Sequence, residues 1–429
     1  SALRSGESAR PYLHDSTELQ GLQGHADAVV APADVDGVRS LVAWCYAHET
    51  PIVPFGGVVC SLERLDRVRS FEPELWRLHI DAGVTTSRVH KLARESGLFF
   101  PPDPGASEQS QIGGNAACNA GGPHSFKYGV TGAWVSGLEA VVAGGELIRS
   151  GGSVRKDVAG YDVRSLLVGS EGTLGIITGV WLKLIPAPEA AIPLAAAFAS
   201  VHEGALAVRR VCGSGLVPAA LEFFDPGCLE ASGASFPGRL PDGARFLVLA
   251  EADGTRAGAA ELAAELEQAL AEGALAIRRF ETAAAVRELW RWRSGVSFAV
   301  AARRGGKVSE DVAVPVEKLE AAIEATLEVG QRHGLQACSW GHAGDGNLHA
   351  TFMVDARSAG EVTTALHAHE ELFARALDLG GTVTGEHGLG WVKRAQFERQ
   401  FTPVEADLQR RIKAVFDPKG LFNPGKKLG

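Results

Sequence analysis

The sequence predicts an α+β chain of about two or three domains, and three observations carry that prediction. Its 429 residues exceed what one hydrophobic core usually organises. Between residues 76 and 184, short apolar runs alternate with glycine-dense loops. After a break at Ile185-Pro186-Ala187-Pro188, where two prolines interrupt the pattern, strand-length and helix-length apolar segments take turns to residue 379.

The elements follow in order. Residues 34–50 place Val35, Val38, Leu41, Val42 and Cys45 at helical spacing behind Asp34, a residue suited to cap, and Ile52-Val53 form the next strand. The following region holds a helix over 86–96 and apolar runs at 138–143, Leu166-Leu167-Val168 and Ile176-Ile177. Beyond the proline break come strands over 220–224 and 246–251 and helices over 255–272, 283–293 and 316–333. Two further strands and a helix over 359–379 complete the series. Two strand–helix units around a shared sheet suggest a ferredoxin-like α+β domain. A last helix over 403–415 precedes the turn-rich Phe416-Asp417-Pro418-Lys419-Gly420, and no internal repeat is visible.

Composition excludes several classes. With 45% hydrophobic and 22% charged residues the chain is globular. A net charge of −9 gives no basic footprint for nucleic acid. No run of eighteen apolar residues occurs and no signal-peptide pattern opens at Ser1, so the expectation is a soluble, cytoplasmic protein, at most peripheral to a membrane. The six cysteines contain no CxxC pair and are expected to be reduced.

Two tracts carry chemistry. The first, Pro101-Pro102-Asp103-Pro104-Gly105-Ala106-Ser107 followed by Ile112-Gly113-Gly114-Asn115 and Asn119-Ala120-Gly121-Gly122, is a run of small residues. Such loops let backbone N–H groups approach a pyrophosphate that side chains would block, although a plain glycine-rich surface loop has about equal weight. No GxGxxG follows a strand, and Gly420 to Lys426 is only a near-miss for a P-loop, ending in Lys427. The second tract runs from Trp340 to Phe352. If Gly344 to Asn347 form a four-residue hairpin loop, Ala343 faces Leu348 and His342 faces His349, roughly 5 Å apart, as a metal-ligand pair. A third ligand, Glu386, comes from Thr384-Gly385-Glu386-His387-Gly388; two His and one carboxylate suit Zn²⁺, Mn²⁺ or Fe²⁺. His387 is then a candidate general base, or a group that only supports the metal. A continuous helix would put Arg293 and Ser297 on one edge as a carboxylate clamp, with Lys307 on a glycine-introduced strand as second cation. For Arg293 and Lys307 singly, a solvated surface charge is the more ordinary reading.

With these residues in hand the sequence resembles the FAD-dependent D-2-hydroxy acid dehydrogenases, comprising D-lactate, glycolate and D-2-hydroxyglutarate dehydrogenases, within the vanillyl-alcohol oxidase and p-cresol methylhydroxylase superfamily. The likeness spans nearly the whole chain. It rests on Ile112 to Asn115, Asn119 to Gly122, Lys127-Tyr128-Gly129, Gly169 to Ile177, the His342 to His349 tract, Gly385 to Gly388 and Phe422-Asn423-Pro424-Gly425-Lys426. The resemblance implies an FAD-binding domain over 1–186, a cap domain with the metal site over 187–390, and a carboxyl segment over 391–429 that returns to the FAD domain. It implies that FAD is held by Gly56, Gly57, Pro102, Asp103, Pro104, Gly105, Ser107, Gly113, Gly114, Asn115, Asn119, Gly121, Glu171, Gly172, Gly175, Ile176, Ile177 and Asn423. Metal ligation falls to His342, His349 and Glu386, the base to His387, and the small 2-hydroxy acid to Arg293, Ser297, Lys307 and Asn347. The reoxidant would be a quinone, a flavoprotein or an iron–sulfur protein.

One departure concerns the loop after Pro54-Phe55-Gly56-Gly57. Relatives carry a longer glycine-rich stretch around the FAD diphosphate, whereas Val58-Val59-Cys60-Ser61 follow at once here. Either the stretch is deleted or the sequence omits residues of the protein, and the intact remaining tracts favour the latter. Cys118 stands where relatives commonly carry Thr, and no histidine near Gly56 could tether the flavin, so non-covalent FAD is expected. Two rival readings are a non-catalytic or electron-transfer subunit of a larger complex and a metal-free flavin oxidase of another alcohol.

Overall fold

A computed structural model describes residues 3–13, 24–52 and 57–428. Val53 and Gly56, expected in a strand and at the cofactor, lie outside the described residues. The chain divides into two compact units: Ser1–Gly121, Gly129–Ala187 and Glu386–Gly429 form the first, and Gly122–Tyr128 with Pro188–Gly385 the second. The boundary thus falls between Gly385 and Glu386 rather than after residue 390, and a seven-residue excursion belongs to the second unit.

The first unit contains β1 (Leu3–Arg4), β2 (Ala28–Val30), α1 (Val35–Ala47), β3 (Val58–Cys60), β4 (Val68–Glu72), β5 (Arg77–Asp81), α2 (Thr86–Glu95), β6 (Leu98–Phe99) and α3 (Ile112–Cys118). Then follow α4 (Ser125–Tyr128, in the second unit), α5 (Thr131–Trp134), β7 (Val135–Val142), β8 (Glu146–Gly151), α6 (Val163–Leu167), β9 (Ile176–Lys183) and β10 (Ile185–Pro186). Strands β4-β5-β9-β7-β8 make an antiparallel sheet whose inner residues Leu78, Ile80, Leu138, Ala140, Val180 and Leu182 pack with α2 and α3. Asp34 caps α1 as expected, accepting from Gly37 N–H. Two expectations fail locally. The run Leu166-Leu167-Val168 ends a short helix, because Asp162 accepts from Ser165 N–H and caps α6. Ile112 to Asn115, expected as loop, opens α3: Gly113 lies so close to Ala82 that an added Cβ would meet its Cβ at 2.5 Å, so the glycine serves helix-to-strand contact.

The carboxyl end closes the first unit with α13 (Phe397–Gln400) and α14 (Pro403–Phe416). Ile52 bridges Phe422, whose ring joins Val38, Val42, Tyr46 and Val141 in a second core. Lys413 donates to Thr173 O at 2.6 Å and Phe422 O at 2.8 Å, and pairs with Asp417, which also accepts from Tyr46.

The second unit is built on one seven-stranded antiparallel sheet. Its elements are β11 (Ala190–Phe198), α7 (Val201–Gly213), β12 (Ala220–Phe224), α8 (Pro226–Ser232), β13 (Phe246–Gly254), α9 (Arg256–Ala271), β14 (Ala274–Arg279), α10 (Ala283–Ala302), β15 (Gly306–Ala313), α11 (Leu319–Arg332), β16 (Gln336–His342), β17 (Asn347–Val354) and α12 (Ala359–Asp378). The strand order β14-β11-β13-β12-β16-β17-β15 resolves into two modules. The first, β11-α7-β12-β13-α9-β14, has the ferredoxin-like βαββαβ order; the second, β15-α11-β16-β17-α12, repeats it without the fourth strand. The repetition is one of topology, invisible in the sequence.

The two sheet faces differ. On one, Val308, Ala350, Phe352 and Val354 pack beneath α11 and α12, and Gly204 of α7 sits against Phe246. On the other, Ala195, Leu247, Leu249, Phe224, Cys338, Trp340 and Met353 pack on Cys228 of α8 and on Leu289, Trp292, Val296 and Val300 of α10. That last stripe continues past Arg293, so α10 is one 20-residue helix and Arg293 and Ser297 lie one turn apart on it.

Candidate metal and flavin site

The metal tract forms a hairpin, but not in the expected register. His342 pairs with Asn347, Gly341 with Leu348 and Trp340 with His349, because Ala343–Asp345 turn as a 3₁₀ segment and Gly346 takes φ +65. The slip is by two positions in the pairing sum, which leaves strand parity unchanged. His342 and His349 therefore stay on one face as diagonal neighbours, ring centroids 5.6 Å apart, both buried.

Glu386 reaches them through a strap anchored to the same sheet. Thr382 and Ala313 exchange backbone hydrogen bonds, and the fully buried Asp311 accepts from the Thr384 hydroxyl at 3.0 Å and from Gly385 N–H at 2.6 Å. A Cβ at Gly385 would stand 1.9 Å from Asn347 Nδ2, so any side chain there would displace Asn347. Glu386 follows one peptide bond later, and ligand atoms of His342, His349 and Glu386 all lie within 4.8 Å of one another. In a tetrahedral site two ligands at about 2.1 Å from Zn²⁺ stand about 3.4 Å apart, so the trio would hold an ion after drawing in by up to about 1.4 Å.

Behind the trio lies a residue the sequence reading missed. Glu222, wholly buried on β12 and paired with His342, accepts from His342 Nδ1 and, on its other oxygen, from Arg293 Nε at 2.6 Å; Arg293 Nη2 stands 2.5 Å from that same oxygen but off the hydrogen-bonding line. Burial pushes the Glu222 carboxyl up, yet Arg293 and His342 outweigh it and hold it down at about 2. A lone acid amid Ala220-Leu221-Phe223-Phe224 was the available signal, because a charge in a buried strand needs a partner. Asp311 on β15 carried the same signal.

The remaining proposed substrate residues share this unit. Lys307 extends its ammonium over the Trp340 ring, 5.0 Å from the centroid, and burial lowers its pKa. Ser297 is half-buried on α10. Asn347 donates to Val312 O at 3.2 Å, while its buried Oδ1 has no hydrogen-bond partner among the described residues. His387 is exposed, its Nε2 3.9 Å from Glu386 Oε1. The excursion Gly122–Tyr128 is latched onto β13: His124 meets Glu251 at 3.0 Å, Trp290 donates to the other Glu251 oxygen, and Lys127 and Tyr128 both pair with Asp253.

The proposed flavin residues sit in the first unit. Pro102, Asp103, Pro104, Gly105 and Ser107 form the loop before α3; Pro102 O meets His90, and Ser107 O accepts from Ser87 N–H. Gly113, Gly114 and Asn115 are on α3, where Asn115 donates to Thr86 and an added Cβ at Gly114 or Gly105 would enter open space. Asn119, at φ +52, ends α3 and accepts from Gly132 N–H, with Gly121 two residues on. Glu171, at φ +53, stands in the turn before β9. Its carboxylate accepts from Leu389 N–H and Gly390 N–H and meets Lys427, and its carbonyl accepts from Asn423, so it clasps the carboxyl tail. Gly172 and Gly175 take positive φ before Ile176 and Ile177 begin β9, and Gly57, at φ +80, turns against Pro51. Asn423 Oδ1 and Ser170 Oγ are buried without a hydrogen-bond partner among the described residues. Unfilled acceptors beside small-residue backbone fit a polar cofactor.

The family model for the FAD binding domain matches residues 26–151, and that for FAD linked oxidases, C-terminal domain, matches residues 187–427. The chain belongs to the FAD-linked oxidase family. It is 34% identical over 430 residues to glycolate oxidase subunit GlcD of Bacillus subtilis, covering 97% of this chain and 91% of that one. It is 35% identical over 417 residues to D-lactate dehydrogenase of Archaeoglobus fulgidus (93% and 90%), and 34% over 424 residues to D-2-hydroxyglutarate dehydrogenase of Xanthomonas citri pv. viticola (93% and 88%). Among solved structures, p-cresol methylhydroxylase with substrate bound superposes with TM-score 0.82 at 18% identity, covering 100% and 94%; alkyldihydroxyacetonephosphate synthase gives 0.76 at 16%, covering 99% and 82%. This family member is thus an FAD-linked oxidoreductase with an α+β, p-cresol methylhydroxylase-type fold. No helix among its described residues is long and apolar enough to cross a membrane.

Proposed function

We propose that the chain oxidises a D-2-hydroxy acid of the D-lactate, glycolate or D-2-hydroxyglutarate class to the 2-oxo acid, with non-covalent FAD and a divalent metal. The observation that carries this is the convergence of His342, His349 and Glu386, two imidazoles and a carboxylate within 4.8 Å. When bound, the metal supplies Lewis acidity to the 2-hydroxyl and the flavin supplies the hydride acceptor. The protein's own groups do the rest. Arg293 and Lys307 present positive charge to the substrate carboxylate, the Ser297 hydroxyl can donate to it, and the unfilled Asn347 Oδ1 can accept from a substrate hydroxyl. His387, exposed beside Glu386, takes the hydroxyl proton on an imidazole nitrogen.

The names of the relatives support the substrate class, and the GlcD relatives are named as subunits, which supports assembly with a partner protein; the electrons would pass on to a quinone, flavoprotein or iron–sulfur partner, in the cytoplasm or at a membrane surface. The test is anaerobic flavin bleaching by a panel of D- and L-2-hydroxy acids, before and after chelation. Bleaching by D-enantiomers, abolished by chelation and restored by Zn²⁺ or Mn²⁺, is expected. A flavin-loaded protein that none of them reduces would remove the dehydrogenase reading, and bleaching indifferent to chelation would remove the metal.

A further inference from the structure

We infer that Glu222 is a positioning residue that ties His342 to Arg293, so that metal affinity and substrate-carboxylate affinity depend on one buried carboxylate. The inference rests on the function proposed above. Glu222 stands in the centre of the second unit's sheet, paired with Leu249 on one side and His342 on the other, with no exposed surface. Its strand and both neighbours hold its backbone, so the side chain has little freedom to wander.

Each oxygen has a separate task. Oε1 accepts from His342 Nδ1, which fixes the proton on that nitrogen and leaves Nε2 as the lone-pair donor a metal needs. Oε2 accepts from Arg293 Nε, which sets the guanidinium plane and leaves both terminal nitrogens, Nη1 and the buried Nη2, without a hydrogen bond among the described residues. Two donors thus converge on one acceptor group. A glutamine of the same shape cannot satisfy both: its amide oxygen serves either His342 or Arg293, and its NH₂ then opposes the other donor. An aspartate is one methylene short of reaching both.

The experiment measures Zn²⁺ affinity by chelator competition, the Co²⁺ absorption bands, and kcat and KM for D-lactate, on holoenzyme matched for FAD content. Glu222→Gln should weaken Zn²⁺ by about 10- to 100-fold and shift the Co²⁺ bands. At saturating Zn²⁺ it should raise KM about tenfold while kcat moves less than about threefold. Glu222→Asp provides a second variant should the first fold poorly, with the same direction expected. Leu221→Val, in the next position but on the opposite sheet face, should lower Tm without moving the Zn²⁺ affinity or the Co²⁺ bands. Wild-type Zn²⁺ affinity, Co²⁺ bands and KM in both Glu222 variants would overturn the assignment, as would Zn²⁺ losses that Leu221→Val reproduces. A wild-type protein whose Zn²⁺ uptake is untouched by His349→Ala would instead sink the metal reading itself.

Discussion

Each unit buries a cluster of charges on a sheet, and the two clusters are finished differently. In the first unit Arg69 lies across the outer face of its sheet, Nε on Asp81 Oδ1 at 2.5 Å and Nη1 on Glu139; Arg67 takes the second Asp81 oxygen and Arg149 the second Glu139 oxygen. Gly179 makes the room, since a Cβ there would stand 2.9 Å from the guanidinium. All four carboxylate oxygens end on arginine. In the second unit Glu222 is equally well served, but its chain of contacts runs on, through His342 to a trio of converging ligand atoms and alongside an Asn347 oxygen with nothing to accept from among the described residues. A closed network rigidifies; one that runs on to converging ligand atoms and an unfilled amide oxygen has the chemistry of a polar site.

The sharpest way to break this contrast is His349→Ala. It should abolish stoichiometric Zn²⁺ and slow flavin reduction by D-lactate on the order of 10³-fold, if the metal supplies about 4 kcal/mol of transition-state stabilisation; metal analysis and stopped-flow bleaching check it, and Tm should hardly change. Arg69→Met should do the reverse. Leaving Asp81 and Glu139 buried without their shared cation should cost about 3–5 kcal/mol of stability, read by urea unfolding, with Zn²⁺ affinity unmoved.

The same network sets an acid limb. Burial pushes Asp81 and Glu139 up, but their arginines win and hold both below the ordinary carboxylate range. A depressed folded pKa means the stabilisation is complete above the unfolded value of about 4 and drains away as pH falls through the folded one. Stability of the wild type should therefore drop steeply below about pH 4, and Arg69→Met should flatten that limb in pH-dependent urea melts. A smaller effect is expected from Asp311→Ala, which frees the strap before Glu386: Zn²⁺ should weaken by about tenfold in chelator competition. Smallest is Thr402→Ala, which removes the α14 capping box and should cost about 1 kcal/mol, touching neither network.

How much of this was legible follows from what each signal depends on. The two histidines were readable because a shared face needs only strand parity, which survived a register the glycine turn decided. Glu222 was legible only as an acid in need of a partner, because that partner is 120 residues away and nothing local says which residue it is. The alanine-rich β11 gave no alternation to detect, since both its faces are largely covered. The doubled topology left no trace at all, as packing asks for apolar residues at matching places and not for the same ones. Glycines misled at α3, where they were spent on close helix contact rather than on a loop.

Within the sheet the two ferredoxin-like halves are joined by the ladder of Glu222 with His342, Phe223 with Gly341 and Phe224 with Trp340, the shortest in that sheet among the described residues. The acid and the imidazole it orients are therefore on opposite banks of the shortest ladder in the sheet. Any ion that prefers the oriented imidazole also prefers the two banks joined, so occupancy of the trio and slowed amide exchange at Phe224 and Gly341 become readings of a single equilibrium.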